Sequence, residues 1–117
     1  MHRFKELIAW QKGRSLVKDI YNSTNYFPKE EIYGLTSQIR RASVSIPTNV
    51  AEGAGRRSNA QFLVFLDYAY GSSIEVENLL ILSHDLGFID SENYTNLESK
   101  CLEVQKLVYS LISKFSK

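Results

Sequence analysis

The chain has 117 residues, 44% of them apolar, and carries 14 Lys and Arg against 13 Asp and Glu, a net charge of +1. That length suits one domain spanning 1–117 and leaves no room for a second. A single cysteine, Cys101, excludes an internal disulfide and fits a reducing compartment.

No apolar run approaches the ~18 residues that cross a bilayer. The charged start Met1-His2-Arg3-Phe4-Lys5-Glu6 is not followed by a signal-type segment. The chain is therefore expected to be soluble and cytoplasmic, with no membrane partner.

Residues 4–24 read as a first helix. Phe4, Leu7, Trp10, Val17, Ile20 and Tyr21 recur at three- and four-residue spacing, which predicts one buried face. Gly13 interrupts it at a cost of about 1 kcal/mol relative to Ala, and close approach to another backbone would explain its presence. The run Asn22-Ser23-Thr24-Asn25 competes for backbone hydrogen bonds and ends the helix. Pro28 holds Phe27 extended and leads into helix two, with Glu30 and Glu31 in its first turn.

Helix two carries a seam of Ile32, Leu35, Ile39, Ala42, Ile46 and Val50. Pro47 falls inside this pattern. It predicts a kink and not a stop, with the hydroxyls of Ser43, Ser45 and Thr48 serving the loosened carbonyls. Gly53 and Gly55 end the helix. Ser58 with Gln61 is a capping box that opens helix three. Its seam is Phe62, either Phe65 or Leu66, Ala69, Ser73, Val76, Leu80 and Ser83. Helix three ends near Leu86, and Gly87 is placed as its C-terminal cap. Ser91 reads as the cap of helix four, whose seam is Tyr94, Leu97, Cys101, Val104, Val108, Leu111 and Phe115. The expected fold is all-α: an antiparallel up-down-up-down four-helix bundle, with helix two kinked near Pro47.

The residues point away from catalysis. His2 and His84 are the only histidines, and no His-Glu-x-x-His or Cys-x-x-Cys occurs, so no metal site is expected. Glu75 and Glu77 have the wrong spacing to share a helix face. Gly53-Ala54-Gly55-Arg56-Arg57 lacks the Gly-Lys-Ser/Thr ending of a phosphate-binding loop. No cofactor is implied. His84 reads as a partly exposed surface residue, and Cys101, on an apolar stripe, as core.

The charge is unevenly distributed. Residues 1–57 hold ten Lys/Arg and five Asp/Glu, whereas residues 58–117 hold four and eight. Such asymmetry suits an anionic partner for the first half, contact between copies of the chain, or simply two differently solvated surfaces. Arg56 and Arg57, at a glycine turn before a helix N-terminus, join Lys12, Arg14, Lys18 and Arg40, which is expected to be free for solvent or a partner, as candidates for nucleic-acid contact; plain solubility explains the same residues. On helix two, Gln38, Arg41, Ser45, Asn49 and Glu52 fall on one polar line. Antiparallel packing would bring Arg41 level with Gly71-Ser72 and within reach of Glu75. These six residues form either a partly buried polar network or a solvated edge stripe.

Several segments resemble a known family. They are Leu7-Ile8-Ala9-Trp10-Gln11-Lys12, Tyr26 to Glu31, Tyr33 to Ala42, Ser45 to Gly53, Phe65-Leu66 and Gly71 to Glu75. In order and spacing they resemble the four-helix-bundle proteins encoded in intervening sequences of bacterial 23S ribosomal RNA genes. That family is similar in fold to the accessory protein of diversity-generating retroelements.

The resemblance implies a ring-like homopentamer with a nucleic-acid-associated role and no known catalysis. The motif positions it carries over are Gln38, Arg41, Ser45, Asn49, Glu52, Gly53 and Glu75. Two functions are then in view. One is a non-enzymatic oligomer that binds RNA through its basic residues. The other is a structural or protein-interaction ring, for instance an accessory partner of a nucleic-acid enzyme such as a reverse transcriptase. A nuclease or nucleotide hydrolase is the weakest reading, because its ligand sets are missing.

Overall fold

The computed structural model describes residues 1–116, and among them all regular structure is helical. The four long helices are α1 (Ile8–Thr24), α2 (Leu35–Ala54), α3 (Asn59–Asp85) and α4 (Ser91–Phe115). Short 3₁₀ turns at Phe4–Glu6 and Lys29–Glu31 precede α1 and α2. Each helix packs on its neighbours in sequence, and α1 also packs on α4, so that the four enclose one apolar cluster. The body measures 43 × 24 × 19 Å.

The first helix differs from its expected form in two ways. Leu7 is extended (φ −78°, ψ 124°) and separates the Phe4–Glu6 turn from α1. The buried positions are Ala9, Gly13, Leu16, Ile20 and Thr24. Of the predicted face only Ile20 is fully buried; Phe4, Leu7, Trp10 and Val17 are half-buried and Tyr21 is exposed. The buried line runs about one residue round the helix from the predicted one, through Ala9, Gly13, Leu16, Ile20 and Thr24, so that Trp10, Val17 and Tyr21 flank it. A Cβ on Gly13 would sit 3.5 Å from the Pro47 ring, so the glycine faces a side chain and not a backbone.

The lead-in to α2 is also redistributed. Pro28 opens the Lys29–Glu31 turn, and α2 begins later, at Leu35. Glu31 caps it from outside, its carboxylate accepting from the Leu35 amide at 3.1 Å. Ile32, expected in the seam, is exposed because it lies before the helix starts. The rest of that seam holds: Ile39, Ala42, Ile46 and Val50 are buried, and Leu35 half-buried.

α2 continues through Pro47. Near it, the Ser43 hydroxyl donates to the Arg40 carbonyl (2.8 Å) and the Asn49 amide to the Ser45 carbonyl (2.8 Å). Neither bond reaches the Ser43 carbonyl, the one whose helical donor Pro47 removes. Gly53 lies within the last turn, and Gly55 is the cap residue.

α3 starts where expected, with the Ser58 hydroxyl accepting from the Gln61 amide at 3.2 Å. Leu66, not Phe65, takes the core position, and Phe62, Ala69, Ser73, Val76, Leu80 and Ser83 are buried with it. Gly87 has φ 79°, the left-handed conformation a glycine cap supplies, and the Phe88 amide reaches back to the Ser83 carbonyl at 2.9 Å. Asp90, not Ser91, caps α4: its carboxylate accepts from the Asn93 amide at 2.8 Å. Leu97, Cys101, Val104 and Val108 form the buried stripe of α4, flanked by half-buried Tyr94, Leu111 and Phe115.

Candidate nucleic-acid interface

The basic residues are arranged by a contact that no local pattern announces. The His2 amide donates to the Ala54 carbonyl at 2.7 Å. Its ring lies 5.0 Å from Phe62 and 4.8 Å from Phe115, and its Nε2 pairs with the Asn59 side chain at 3.0 Å. The N-terminal segment is thereby pinned against the α2–α3 turn and the end of α4. Arg3 and Lys5 then share one pole of the bundle with Arg56, Arg57 and Lys114. The Arg56 guanidinium lies 4.5 Å over the Phe65 ring, and the Lys114 ammonium is 5.5 Å from the Phe115 ring. Arg3 pairs with Glu6 at 3.4 Å, both exposed, a contact of little energetic weight.

The opposite pole is acidic. Glu30, Glu31, Asp85, Asp90 and Glu92 lie in or beside the α1–α2 and α3–α4 connections, with Lys29. Tyr26 and Tyr33 stand out from this pole, 87% and 95% exposed.

The predicted basic set does not form one patch. Arg56 and Arg57 are at the basic pole. Lys12 turns toward α4 and lies 3.9 Å from Glu103. Arg14 covers the Trp10 ring at 5.4 Å. Arg40 is not free. Its Nε donates to the Thr24 hydroxyl (2.8 Å), one terminal nitrogen donates to the Asn25 side chain (3.1 Å), and the guanidinium lies 4.6 Å over the Tyr21 ring. Thr24 in turn donates to the Ile20 carbonyl at 2.8 Å. Arg40 therefore closes the C-terminus of α1, where carbonyls lack helical partners and a cation is favoured.

The polar line is partly assembled. The Asn49 amide donates to the Ser45 hydroxyl (2.9 Å), and the Ser72 hydroxyl on α3 donates to Ser45 (2.9 Å). Gln38, Arg41, Ser45 and Glu75 line one cleft of about 470 Å³ with Tyr33 and Ser37. Arg41 and Glu75 are both exposed and are not among the ion pairs of the described residues, which are Arg3–Glu6, Lys12–Glu103 and Lys100–Asp19. Glu52 lies apart, in the α1–α2 groove with Lys5, Trp10 and Arg14.

The perturbed groups lie away from the basic pole. The Tyr94 hydroxyl donates to Glu98 at 2.6 Å, and that bond pushes its pKa up to about 12. Burial pushes the Cys101 thiol up to about 12. Half-buried His84 stacks on Tyr94 at 4.5 Å. Among the described residues no cluster of three His, Cys, Asp or Glu could hold a metal ion, and no helix is long and apolar enough to cross a membrane.

Four long helices around a single apolar cluster, with an excess of cations at one pole and of carboxylates at the other, define a helical-bundle class of protein. The chain belongs to the 23S rRNA-intervening sequence protein family, whose pattern it matches over residues 5–110. It is also similar to the crystal structure of a protein of unknown function from the S23 ribosomal protein family of Bacteroides thetaiotaomicron VPI-5482. That similarity has a TM-score of 0.84 and 25% identity, and covers 90% of this chain and 98% of the other. No curated protein matches the chain.

Proposed function

We propose that this protein is a non-catalytic, self-assembling bundle that associates with RNA through its basic pole. Its single domain would act in the cytoplasm, in a homopentameric ring as the family resemblance implies. The observation that carries the RNA reading is the convergence of Arg3, Lys5, Arg56, Arg57 and Lys114 from three separate stretches of chain. Long cationic side chains gathered at one pole suit phosphates, which favour affinity over sequence readout.

The same reading includes an up-down-up-down chain path with α2 bent at Pro47. The antiparallel path of α2 and α3 is supported by partners whose numbers fall on one helix as they rise on the other, such as Ser45 with Ser72 and Gly53 with Phe62.

Anisotropy of a labelled RNA hairpin, titrated at several salt concentrations, tests the RNA association. Log K should fall linearly with log salt, by about 0.7–0.9 per phosphate contact. The double variant Arg56→Ala/Arg57→Ala should lower that slope by about 1.5, whereas Arg40→Ala should leave it unchanged. No binding at low salt, or binding indifferent to salt, refutes it.

A protein-interaction ring is the second reading. It is favoured by the outward side of α3, where Val64 and Tyr68 are 47% and 58% exposed.

A further inference from the structure

We propose that the pocket between the end of α1 and the start of α2 binds a small organic carboxylate. That pocket lies at the far pole from the residues assigned to RNA.

Five polar side chains of the described residues are buried: Thr24, Thr36, Ser43, Ser73 and Ser83. Buried hydroxyls are nearly always paired. Four of these follow the rule, each donating to a carbonyl three or four residues back: Thr24 to Ile20 (2.8 Å), Ser43 to Arg40 (2.8 Å), Ser73 to Tyr70 (2.6 Å) and Ser83 to Leu79 (2.7 Å). Thr36, only 2% exposed, has no partner among the described residues. It stands in the first turn of α2, where main-chain amides lack helical acceptors and negative charge is favoured.

Arg40 is four residues on, the next turn of the same helix face. Its capping of α1 uses Nε and one terminal nitrogen; the other terminal nitrogen, Nη1, has no hydrogen-bond partner among the described residues. The acceptors it does have are a hydroxyl, an amide and a carbonyl, all neutral, and none of the ion pairs of the described residues includes it. A buried hydroxyl and a half-buried guanidinium thus each keep an unused donor within one turn of helix.

Both residues line one pocket of about 360 Å³, with Phe27, Pro28 and Ile32 as apolar wall and Lys29 as a second cation. No Asp or Glu lines it. Of the neighbouring acids, Glu31 turns its carboxylate to the Leu35 amide, and Glu30 is exposed, where water and salt screen it. The unused donors call for an oxygen acceptor, and a guanidinium favours a charged one. The apolar wall favours a short hydrocarbon body beside that charge. A carboxylate on a few carbons meets all three demands, whereas an inorganic anion has no body to bury and a neutral amide has no charge.

Nuclear magnetic resonance of the full chain at fixed ionic strength tests this, with butyrate as the probe and butyramide and inorganic phosphate beside it. Butyrate should cause saturable shifts at the Thr36 amide and the Arg40 Nε, with a Kd of about 1 mM or tighter. Butyramide and phosphate should bind at least about tenfold more weakly, and the isosteric Thr36→Val should weaken butyrate by at least about tenfold while remaining folded. Thr36→Ser, which keeps the hydroxyl, should bind as the wild type does.

A pocket that holds only water would give no saturable shift at either signal, and that result overturns the site. Undiminished butyrate binding by folded Thr36→Val, or shifts confined to Arg56 and Arg57, also overturns it. Phosphate or butyramide binding as tightly as butyrate overturns the carboxylate assignment.

Discussion

Gly53 and Gly13 both lie buried inside helices, yet replacing each with Ala should move stability in opposite directions. Ala is favoured over Gly in a helix interior by about 0.8–1.0 kcal/mol, and that gain applies equally to the two sites. Their surroundings differ. At Gly13 the new methyl would meet the Pro47 ring at 3.5 Å and Ile46 at 3.6 Å, ordinary contact distances. At Gly53 it would fall 2.7 Å from the Phe65 Cβ, 2.8 Å from a Phe62 ring carbon and 3.3 Å from the Phe62 carbonyl oxygen. A Cβ cannot swing aside, because it is fixed to its own backbone. α2 and α3 must separate there by something approaching an ångström, because a new rotamer of Phe62 would relieve only its own ring contact and not that with the Phe65 Cβ.

Overpacking of this kind costs about 1–3 kcal/mol. After the propensity gain, Gly53→Ala should lose up to about 2 kcal/mol, whereas Gly13→Ala should gain up to about 1 kcal/mol. At this chain length each kcal/mol corresponds to roughly 4 °C in Tm. Urea unfolding followed by circular dichroism at fixed protein concentration would measure both. Equal stabilisation of the two variants would refute the argument, because it would mean that α2 and α3 do not approach as closely at Gly53 as described.

Arg40→Ala should cost about 1–2 kcal/mol by uncapping α1 and exposing Thr24, and Arg40→Lys should recover little, because an ammonium cannot fork to Thr24 and Asn25 together; urea midpoints decide. The Thr36 hydroxyl is buried with no hydrogen-bond partner among the described residues, so the isosteric Thr36→Val should raise stability by about 1 kcal/mol, and a loss would reveal a partner. Asp90→Ala should cost about 1 kcal/mol and Ser91→Ala under about 0.5 kcal/mol, since the cap is the aspartate; the reverse order in thermal melts would restore Ser91 to that role. For Cys101 the fold favours the protonated thiol, so the stability linked to it is fully present below the thiol's ordinary 9.0 and is lost as pH rises toward about 12. Thiol reagents should fail to label the folded protein at pH 8, and labelling at the rate of an exposed cysteine would contradict that burial.

Much of this architecture could be read from periodicity. The stripe of α4 and the Ser58 start of α3 depend on residues within one or two turns of each other, and local spacing carries that information. The face of α1 is where periodicity alone falls short. Hydrophobicity favours Trp10 and Tyr21, but the buried line runs through Ala9, Gly13, Leu16, Ile20 and Thr24, about one residue round the helix, and Trp10 and Tyr21 flank it. The role of Arg40 was hidden for a different reason: its partners, Thr24 and Asn25, lie 15 or 16 residues away, across a loop.

The basic pole was half visible. Arg56 and Arg57 stand together in sequence, whereas Arg3 and Lys5 join them because His2 docks on Ala54 and Phe115, and Lys114 because α4 ends at that pole. A histidine followed by a basic residue at the start of the chain carries no signal of that destination.

The His2 contact also has a topological consequence. The start of the chain and the end of α4 lie against each other, with two aromatic rings 4.8 Å apart. A short glycine-serine bridge could join them, and new ends could be cut at the tyrosine-bearing loop around residue 26. Such a circular permutant would keep every helix intact and move both termini to the far side of the molecule. A cargo fused there would stand clear of the arginines.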